Sequence, residues 1–493
     1  MRLEALLEFS GLKERARGWE PHREVRVSGV THDSRQVRGG DLFAAVPGER
    51  ADGHDFVSEA AERGAAAALV EHPVEVDIPQ VVLPDVRAAM GAAAAAFWGH
   101  PAERLFTVGI TGTNGKTTTA HLVRGLLAAE GGGVGMLGTV HHWIGGEAMD
   151  RVHTTPEATD IQRLLARMLE GGDGAAVLEV SSHALALHRL AGTLFDVGVF
   201  TNLGRDHLDF HGSMDAYLEA KRTLFTRHLK EGGGGVVNID DPAGARLAAE
   251  MEMEWVTTGL DPAADVRAEE VETDAGGVRF DLCWGEEGRA RVESPLLGLF
   301  NVANLLAAGA VGRVAGLDIE KTARTLSGIG GVPGRMQRLE GPGGVTVVLD
   351  YAHKPEALRG ALQACRELTD GRLLVLFGCG GDRDRGKRPL MGRIAALGAD
   401  RVIVTSDNPR TEDPAGIIRE IVSGIPPEAD AVAVTDRREA ITRALAEARP
   451  GDLVLVAGKG HEQYQVVGSE KLPFDEAEVV AEAVAALGSG GAA

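Results

Sequence analysis

One segment of the chain combines small residues, hydroxyl groups and a single lysine in an order suited to phosphate binding. It consists of Thr111, Gly112, Thr113, Asn114, Gly115, Lys116, Thr117 and Thr118. A strand predicted over residues 105–110 precedes it, and an apolar-periodic helix predicted over 117–129 follows it. Small residues let backbone N–H groups surround phosphate oxygens at a helix N-terminus, where the helix dipole also favours negative charge. Lys116 would neutralise phosphate charge, and the hydroxyl of Thr117 would ligate Mg²⁺.

The loop departs from the GxxxxGK pattern in one place, because Ile110 stands where the first glycine belongs. A glycine-rich turn with an exposed lysine is therefore the alternative interpretation. The strand-loop-helix context favours phosphate binding, since it supplies the helix N-terminus that an anion needs.

Three further side chains have types that bind metal, and each follows or lies near a predicted strand. Glu179 ends a strand predicted over 175–180, His207 follows a strand predicted over 197–200, and Lys221 lies on a predicted helix. The carboxyl ends of parallel strands meet at one edge of a sheet, so Glu179 is expected beside the glycine loop, where a carboxylate suits Mg²⁺. Taken singly, a solvated glutamate, a structural histidine and a surface lysine are the alternatives.

The elements that must position these groups divide the 493 residues into three predicted domains. The boundaries are 1–100, 101–333 and 334–493. In the last domain, strands predicted over 345–349, 373–377, 401–405 and 453–457 alternate with helices over 355–368, 390–397, 415–422 and 438–448. Such alternation predicts an α/β fold with a parallel sheet covered by helices. The glycine run 232–235 is predicted to be a flexible hairpin tip, and 488–493 a loose tail.

Composition and charge restrict the class of protein. Hydrophobic residues make up 44% and charged residues 25%, the balance of a globular protein, and no apolar stretch approaches the about 20 residues that cross a bilayer. The net charge of -21 repels phosphate, which argues against nucleic acid or anionic lipid as a partner. Three widely spaced cysteines indicate neither a disulfide framework nor a zinc site. We expect a cytoplasmic monomer.

The sequence TGTNGKTT resembles the Mur ligase family, and motifs along almost the whole chain support that resemblance. Within the family, the chain resembles the members that add diaminopimelate. These motifs are EVSSH at Glu179, NLGRDHLD at His207, GLFNVAN at Asn304, GRMQ at Arg335, DYAHKP at Asp350 and DNPR at Arg410. The resemblance implies a small α/β N-terminal domain, a central P-loop-type ATPase domain with a mostly parallel sheet, and a C-terminal Rossmann-like domain. It also implies ADP-forming ligation of an amino acid to a nucleotide-linked peptide.

By resemblance, ATP and Mg²⁺ take up the central residues. Glu179, His207 and Lys221, the last carbamylated by CO₂, join Thr117 as metal ligands, while Asn304 recognises adenine and Arg335 and Asp350 approach the nucleotide. ATP is then expected to bridge two domains. Asn301 is expected to cap a helix as an alternative to a binding role.

The same resemblance assigns two substrate pockets. The UDP-MurNAc-L-Ala-D-Glu contacts implied by it are His32, Ser34, Glu49, Arg50, Ala51, Thr154, Thr155, Ser181, Leu187 and Arg189, with Leu187 standing where some relatives carry Gln. The meso-diaminopimelate contacts are Arg383, Asp407, Asn408, Pro409, Arg410, Gly458 and Glu462. A guanidinium pairs bidentately with a carboxylate, so Arg410 suits the second carboxylate of that substrate.

Three other functions are compatible with parts of this pattern. A folylpolyglutamate synthetase shares the glycine loop, although about 100 residues precede the loop here. A lysine-adding relative would share all but DNPR. A non-catalytic nucleotide switch would have no use for Glu179, His207 and Lys221 together.

Overall fold

The computed structural model describes residues 1–48, 51–149, 154–285 and 288–489. Its helices are α1 Leu3–Phe9, α2 Val57–Glu62, α3 Val86–Phe97, α4 Pro101–Arg104, α5 Lys116–Ala128, α6 Ala158–Glu170, α7 Ser182–Ala186, α8 Leu208–His211, α9 Met214–Arg227, α10 Pro242–Glu250, α11 Phe300–Val314, α12 Ile319–Gly328, α13 Pro355–Glu367, α14 Lys387–Gly398, α15 Pro414–Val422, α16 Arg437–Glu447 and α17 Glu476–Ser489.

The strands are β1 Gly29–Thr31, β2 Asp41–Ala44, β3 Ala67–Val70, β4 Gln80–Val82, β5 Phe106–Thr111, β6 Gly133–Leu137, β7 His142–Ile144, β8 Glu147–Met149, β9 Asp173–Glu179, β10 Phe195–Phe200, β11 Leu229–Asn238, β12 Trp255–Gly259, β13 Val266–Asp274, β14 Gly277–Trp284, β15 Arg289–Ser294, β16 Gln337–Glu340, β17 Thr346–Asp350, β18 Leu373–Phe377, β19 Arg401–Val404, β20 Ala431–Ala433, β21 Leu453–Ala457, β22 Tyr464–Val467 and β23 Glu470–Pro473.

The chain divides into two compact units. The first comprises Met1–Arg267, Trp284–Gly288 and Asn304–Thr322, and the second comprises Ala268–Cys283, Arg289–Ala303 and Ala323–Ala493. Within the described ranges, no helix has both the length and the apolar character needed to cross a membrane.

The first unit contains two sheets. A parallel sheet of order β1-β2-β3-β4 packs its apolar side chains against α1 and α3. The second is part of an eleven-stranded sheet and has the order β12-β11-β10-β5-β9-β6-β7-β8 in this unit, where β10, β5, β9 and β6 are parallel neighbours. Because β5 lies between β9 and β10, the segments that leave these three strands are brought to one edge of the sheet.

The second unit contains a six-stranded sheet of order β16-β17-β21-β18-β19-β20, in which only β16 is antiparallel. Alternate residues of its strands face opposite sides. Val348, Val375 and Leu455 pack with α13, α14 and α15, whereas Val347, Leu374 and Val454 pack with α16 and α17. A sheet buried on both faces explains why these strands are continuous apolar runs.

The predicted strands and helices of the third domain are confirmed, with ends that differ by at most a few residues. Two other predictions are wrong. Residues 232–235 do not form a hairpin tip but lie within β11. After a register shift, Gly234 and Gly235 pair with β10, and Gly235 also pairs with β12. A Cβ at Gly235 would lie 2.3 Å from the Trp255 ring, so glycine lets that ring pack on the strand. Asn301 does not precede α11 as a cap, because the helix begins at Phe300. Of the predicted tail, Gly488 and Ser489 belong to α17, and the rest lies outside the described residues.

Candidate active site

The glycine loop connects β5 to α5 in a backbone conformation that requires its glycines. Gly115 has φ +84°, in the left-handed region that L side chains rarely adopt. A Cβ at Gly115 would lie 2.4 Å from Oδ1 of Asn304, and one at Gly112 would lie 1.9 Å from Oγ1 of Thr201. The loop therefore packs directly against the segment after β10 and against α11. The N–H groups of the first turn of α5, a helix of 13 residues, follow this loop.

Hydrogen bonds from the segment after β10 hold the loop open. The N–H of Thr113 donates to the carbonyl of Asn202 (2.9 Å), and the N–H of Asn114 donates to the side-chain Oδ1 of Asn202 (2.9 Å). The hydroxyl of Thr201 donates to the carbonyl of Asn114 (2.6 Å). These contacts fix the loop conformation, which reduces the ordering cost of binding a phosphate group there.

Lys116 lies back across its own loop. Its Nζ donates to the carbonyls of Gly112 (2.7 Å) and Thr113 (2.9 Å). An ammonium held over the loop places positive charge where phosphate oxygens would bind.

Glu179 ends β9 as predicted and is 1% exposed. Its Oε2 accepts hydrogen bonds from the hydroxyls of Thr117 (2.9 Å) and Thr139 (2.8 Å), and its Oε1 accepts one from the N–H of Thr139 (2.6 Å). The structure thus brings together two predicted residues, Thr117 and Glu179, at the N-terminus of α5.

Tyr217 and Lys221 stack one turn apart on α9, and both side chains are buried. The Lys221 Nζ lies 4.3 Å from the centroid of the Tyr217 ring, and the hydroxyl of Thr113 in the glycine loop lies 3.2 Å from the Tyr217 hydroxyl. Burial lowers the pKa of Lys221 well below its usual 10.5, the charge of Lys116 lowers it further, and Asp206 opposes the shift. The amine is therefore biased towards its neutral, nucleophilic form.

His207 also lies near Tyr217. It has a left-handed backbone (φ +53°) at the start of α8, and its Nε2 lies 3.3 Å from Oδ2 of Asp206. Its ring is 6.2 Å from the Tyr217 ring and 4.6 Å from the His183 ring, measured between centroids. Of the four predicted catalytic residues, Glu179 ends β9, Lys116 follows β5, and His207 and Lys221 lie on segments that follow β10.

The residues present fit Mg²⁺ in part. Thr117 and Glu179 offer adjacent oxygen donors of the kind that Mg²⁺ takes. In the part of the chain that the structure describes, no three His, Cys, Asp or Glu side chains surround one point. Lys221 as an amine is no ligand, and only a carbamate would give it oxygens.

The predicted peptide contacts surround the end of β9. The hydroxyl of Thr155 donates to the carbonyl of Glu179 (2.8 Å), and Ser181 N–H donates to that hydroxyl (3.2 Å). The hydroxyl of Thr139 lies 3.2 Å from that of Thr154. Leu187 ends α7. Four threonine and serine groups on adjoining segments can donate to carboxylate or phosphate oxygens.

Arg189 reaches the same group of residues. It donates to the carbonyl of Thr155 (3.2 Å) and lies 2.9 Å from Glu157, a carboxylate that also pairs with Arg87 at 3.3 Å. Its positive charge is thus held beside the end of β9.

The N-terminal candidates are only partly described. Nδ1 of His32 lies 2.8 Å from the hydroxyl of Thr159 on α6, and the buried hydroxyl of Ser34 donates to Glu59 (3.0 Å). Ala51 is exposed, and Glu49 and Arg50 lie outside the described residues. His32 therefore connects the first sheet to the helix that leads to β9.

In the second unit, Asp350 ends β17 beside Arg335. The carboxylate of Asp350 accepts hydrogen bonds from the N–H groups of Met336 and Ala352 (both 2.9 Å). Burial raises the pKa of Asp350, and Arg335, whose guanidinium lies 4.8 Å from the Tyr351 ring, opposes that shift.

The DNPR segment forms a turn after β19 whose side chains meet those that follow β21. The amide Nδ2 of Asn408 donates to Oε2 of Glu462 (2.9 Å), and Asp407 is buried next to it. Gly458, with φ +123°, donates from its N–H to the carbonyl of Asp350 (3.0 Å). The sheet order explains this meeting, since β21 lies between β17 and β18, and β18 pairs with β19.

Arg410 has a left-handed backbone (φ +51°) fixed on both sides. Its N–H donates to the carbonyl of Val466 (3.0 Å), and its own carbonyl accepts from Gly468 N–H (2.7 Å). The guanidinium donates to the carbonyl of Gly381 (2.8 Å), which directs it towards the loop of the exposed Arg383. A Cβ at Gly381 would lie 1.9 Å from the carbonyl oxygen of Pro409. Two arginines near one loop can bind a carboxylate.

The sequence reasoning missed four residues of these clusters: Thr139, Glu157, Tyr217 and Lys459. Lys459 is fully buried, and its Nζ lies 3.1 Å from Oδ1 of Asn408. Tyr217 could have been found from its spacing, because it lies four residues before Lys221 on one helix face. Glu157 lies two residues after Thr155 and Lys459 directly follows Gly458, so both could have been found from their predicted neighbours. Thr139 has no local signal, since the pairing of β6 with β9 brings it to the site.

Comparison with known proteins agrees with this arrangement. Three family models match, described as Mur ligase family, catalytic domain (residues 26–98), Mur ligase middle domain (110–312) and Mur ligase, glutamate ligase domain (334–460). A UDP-N-acetylmuramoyl-L-alanyl-D-glutamate--2,6-diaminopimelate ligase of Gloeobacter violaceus is 47% identical over 98% of both chains.

Solved structures give the same result. A UDP-N-acetylmuramoyl-L-alanyl-D-glutamate--2,6-diaminopimelate ligase is 35% identical, with a TM-score of 0.72 over 99% of this chain and 100% of that one. The MurF ligase of Thermotoga maritima in complex with ADP shares the fold at 22% identity, with a TM-score of 0.63 over 88% of this chain and 94% of that one. The predicted fold class is confirmed: an α/β protein with mostly parallel sheets and the three-domain architecture of this family. The chain belongs to the Mur ligase family.

Proposed function

We propose that this chain is an ADP-forming ligase that attaches meso-diaminopimelate to the D-Glu side-chain carboxylate of UDP-MurNAc-L-Ala-D-Glu, a step of peptidoglycan synthesis. Relatives that carry the name of this activity match nearly the whole chain. The structural observation that carries the proposal is a group of side chains after β19 and β21, here called the acceptor cluster: Asp407, Asn408, Arg410 and Glu462. In it, Asn408 bonds Glu462 while the backbone of Arg410 is fixed so that its guanidinium points to Gly381. A carboxylate for the distal ammonium and a guanidinium for the distal carboxylate are what this acceptor requires.

The reaction divides into two steps. A side-chain carboxylate oxygen of D-Glu attacks the γ-phosphorus of ATP, and the bond from that phosphorus to the bridging oxygen breaks. ADP is released, and the D-Glu side chain becomes an acyl phosphate. The free amine of meso-diaminopimelate then attacks the acyl carbon, the carbon–oxygen bond to phosphate breaks, and phosphate and a proton leave. The N–H groups of residues 115–118 and the ammonium of Lys116 hold the phosphates. Lys116 then gives up its hydrogen bonds to the carbonyls of Gly112 and Thr113 and binds phosphate oxygens instead.

Thr117 and Glu179 would hold Mg²⁺, joined by His207 and by Lys221 as a carbamate. Bound there, the ion would offset charge that develops on the phosphate oxygens. The depressed pKa of Lys221 supports carbamylation, because only a neutral amine reacts with CO₂.

The remaining predicted contacts are assigned to ATP, to the UDP-linked peptide and to meso-diaminopimelate. Asn304, Arg335 and Asp350 are assigned to ATP. His32, Ser34, Glu49, Arg50, Ala51, Thr154, Thr155, Ser181, Leu187 and Arg189 are assigned to the UDP-linked peptide, and Arg383, Asp407, Asn408, Pro409, Arg410, Gly458 and Glu462 to meso-diaminopimelate. Domain boundaries at residues 100 and 333 belong to the same proposal. We place the protein in the cytoplasm as a monomer without nucleic acid or membrane partners, in keeping with its net charge of -21 and its three widely spaced cysteines.

The test combines purified protein, ATP, Mg²⁺ and UDP-MurNAc-L-Ala-D-Glu with either meso-diaminopimelate or L-lysine, and follows product mass and released phosphate. Product is expected with meso-diaminopimelate, and Arg410→Ala should reduce its kcat/KM by about 100-fold because a buried carboxylate loses its partner. Arg401→Ala is the matched control. Arg401 lies at the amino end of β19, whereas residues 407–410 follow the carboxyl end of that strand. Product with lysine and none with meso-diaminopimelate would refute the specificity.

A further inference from the structure

Lys459 is a buried cation at the centre of the acceptor cluster. It follows β21, and its side chain is 0% exposed. Its Nζ donates to Oδ1 of Asn408 (3.1 Å) and lies 3.4 Å from Oε2 of Glu462 and 3.5 Å from Oδ1 of Asp407. A cation taken out of water is stable only when such partners surround it. None of the roles proposed above uses this residue.

The first consequence of this geometry concerns the Asn408 amide. Its Oδ1 accepts from Lys459 and from the N–H of Val466 (2.9 Å), and its Nδ2 donates to Glu462 (2.9 Å). An ammonium can only donate, so a flipped amide would place its own N–H₂ against two donors. Lys459 therefore holds the amide in one orientation, with its nitrogen towards Glu462.

The second consequence concerns charge. Asp407 and Glu462 bring two carboxylates to Lys459, and the ammonium offsets one of them. Without the cation, both carboxylates would lose a buried ion-pair partner, and removing one partner of a buried ion pair is costly. Glu462 would then lose one of the contacts that fix its position.

We propose that Lys459 is a positioning residue for the acceptor amino acid, which orients Asn408 and Glu462 towards the distal ammonium of meso-diaminopimelate. The inference rests on the proposed function, since it assigns the cluster to that acceptor. It predicts that Lys459 acts on recognition of one amino group, with no effect on ATP use or on the distal carboxylate.

The test compares two acceptors on the full-length protein: meso-diaminopimelate and 2-aminopimelate, which keeps the distal carboxylate and lacks the distal amine. For Lys459→Met, kcat/KM for meso-diaminopimelate should fall about 30-fold, mostly through KM, whereas that for 2-aminopimelate should change less than about threefold. The preference for meso-diaminopimelate would then fall about tenfold. A residue that only supports the fold would lower both rates together.

Two controls keep the result interpretable. Arg401→Met removes a largely buried cation that pairs with Glu447 at the amino end of β19, and it should leave the preference unchanged. Hydroxylamine in place of the amino acid traps the acyl phosphate as a hydroxamate, and its formation should stay within about twofold of wild type in Lys459→Met, because ATP chemistry does not need the acceptor cluster.

If Lys459→Met does not fold, Lys459→Gln decides, since it keeps a donor for Asn408 and removes only the charge; a three- to tenfold loss of preference is expected. Wild-type preference in a folded variant would overturn the proposal, as would loss of folding in both variants. Failure of the proposed function looks different, because wild type would then form no product with meso-diaminopimelate.

Discussion

Lys221 shows how burial prepares one side chain for chemistry. Its amine is 1% exposed on α9 and lies over the Tyr217 ring, and burial lowers its pKa well below 10.5. A base whose pKa is lower in the folded state binds fewer protons there than in the unfolded chain. The free energy of unfolding therefore rises with pH across the window between the depressed folded pKa and 10.5.

Replacing Lys221 with Met should remove this contribution. In CO₂-free buffer, the stability of wild type relative to Lys221→Met should increase as pH rises from about 7 to 9.5, with a slope of at most about 1.4 kcal/mol per pH unit. Urea unfolding at several pH values measures it. Lys230→Met, which removes a more accessible lysine paired with Asp196, should not reproduce this increase. A flat difference for Lys221→Met would show that the amine stays protonated when buried.

At the scale of elements, the turn from β5 to α5 depends on close approach as much as on backbone conformation. Gly115 and Gly131 have nearly the same φ, +84° and +86°, yet a Cβ at Gly115 would lie 2.4 Å from Asn304 Oδ1, whereas a Cβ at Gly131 would meet nothing within 4 Å. Both alanine substitutions incur the left-handed backbone cost of about 1–2 kcal/mol. Only Gly115→Ala must also displace Asn304.

Gly115→Ala should therefore lower stability by about 1–3 kcal/mol more than Gly131→Ala and raise the Kd for ATP at least tenfold. Gly131→Ala should leave the Kd unchanged, since Gly131 lies beyond the far end of α5. Urea unfolding and calorimetric titration with a non-hydrolysable ATP analogue measure the two effects. Equal Kd values for both variants would mean that the close approach to Asn304 does not matter for binding.

Elements with strong local patterns could be predicted from the sequence. Strands β18 and β21 lie where they were predicted, because a run of apolar residues buried on both faces is continuous. The glycines of 232–235 also form a local pattern, one typical of a turn, but that prediction is wrong. Gly234 and Gly235 pair with β10, and Gly235 also pairs with β12. Pairing with distant strands is information that a local pattern does not contain.

The candidate site residues also divide into those that have a local sequence pattern and those that depend on contacts with distant segments. Glu179 could be predicted because a charged residue after a buried strand is locally visible. Thr139 could not, since it reaches Glu179 only because β6 pairs with β9. Lys459 lies 52 positions from Asp407 and joins it through the order of β21, β18 and β19. A buried ammonium is recognised from its partners, and these become known only with the fold.

At the scale of the whole molecule, the two compact units differ in their spectroscopic probes. All five tryptophans, at 19, 98, 143, 255 and 284, belong to the first unit, together with the glycine loop. The acceptor cluster lies within the second unit, which has no tryptophan. Trp284 ends β14, whose other residues belong to the second unit, whereas the other four tryptophans lie on segments of the first. Tryptophan fluorescence therefore reports mainly on the first unit, while far-UV circular dichroism reports on the helices of both.

If the two units unfold separately, urea titrations followed by fluorescence and by circular dichroism will not coincide. A ligand that binds only the folded second unit stabilises it by RT ln(1 + [L]/Kd), which is about 2.7 kcal/mol at 100 times Kd. Meso-diaminopimelate without ATP should then shift the circular dichroism transition to higher urea and leave the fluorescence transition in place. L-alanine is the control, since it has no distal groups. A fluorescence shift as large as the dichroism shift would show that the units unfold together, and no shift by either probe would place the acceptor elsewhere.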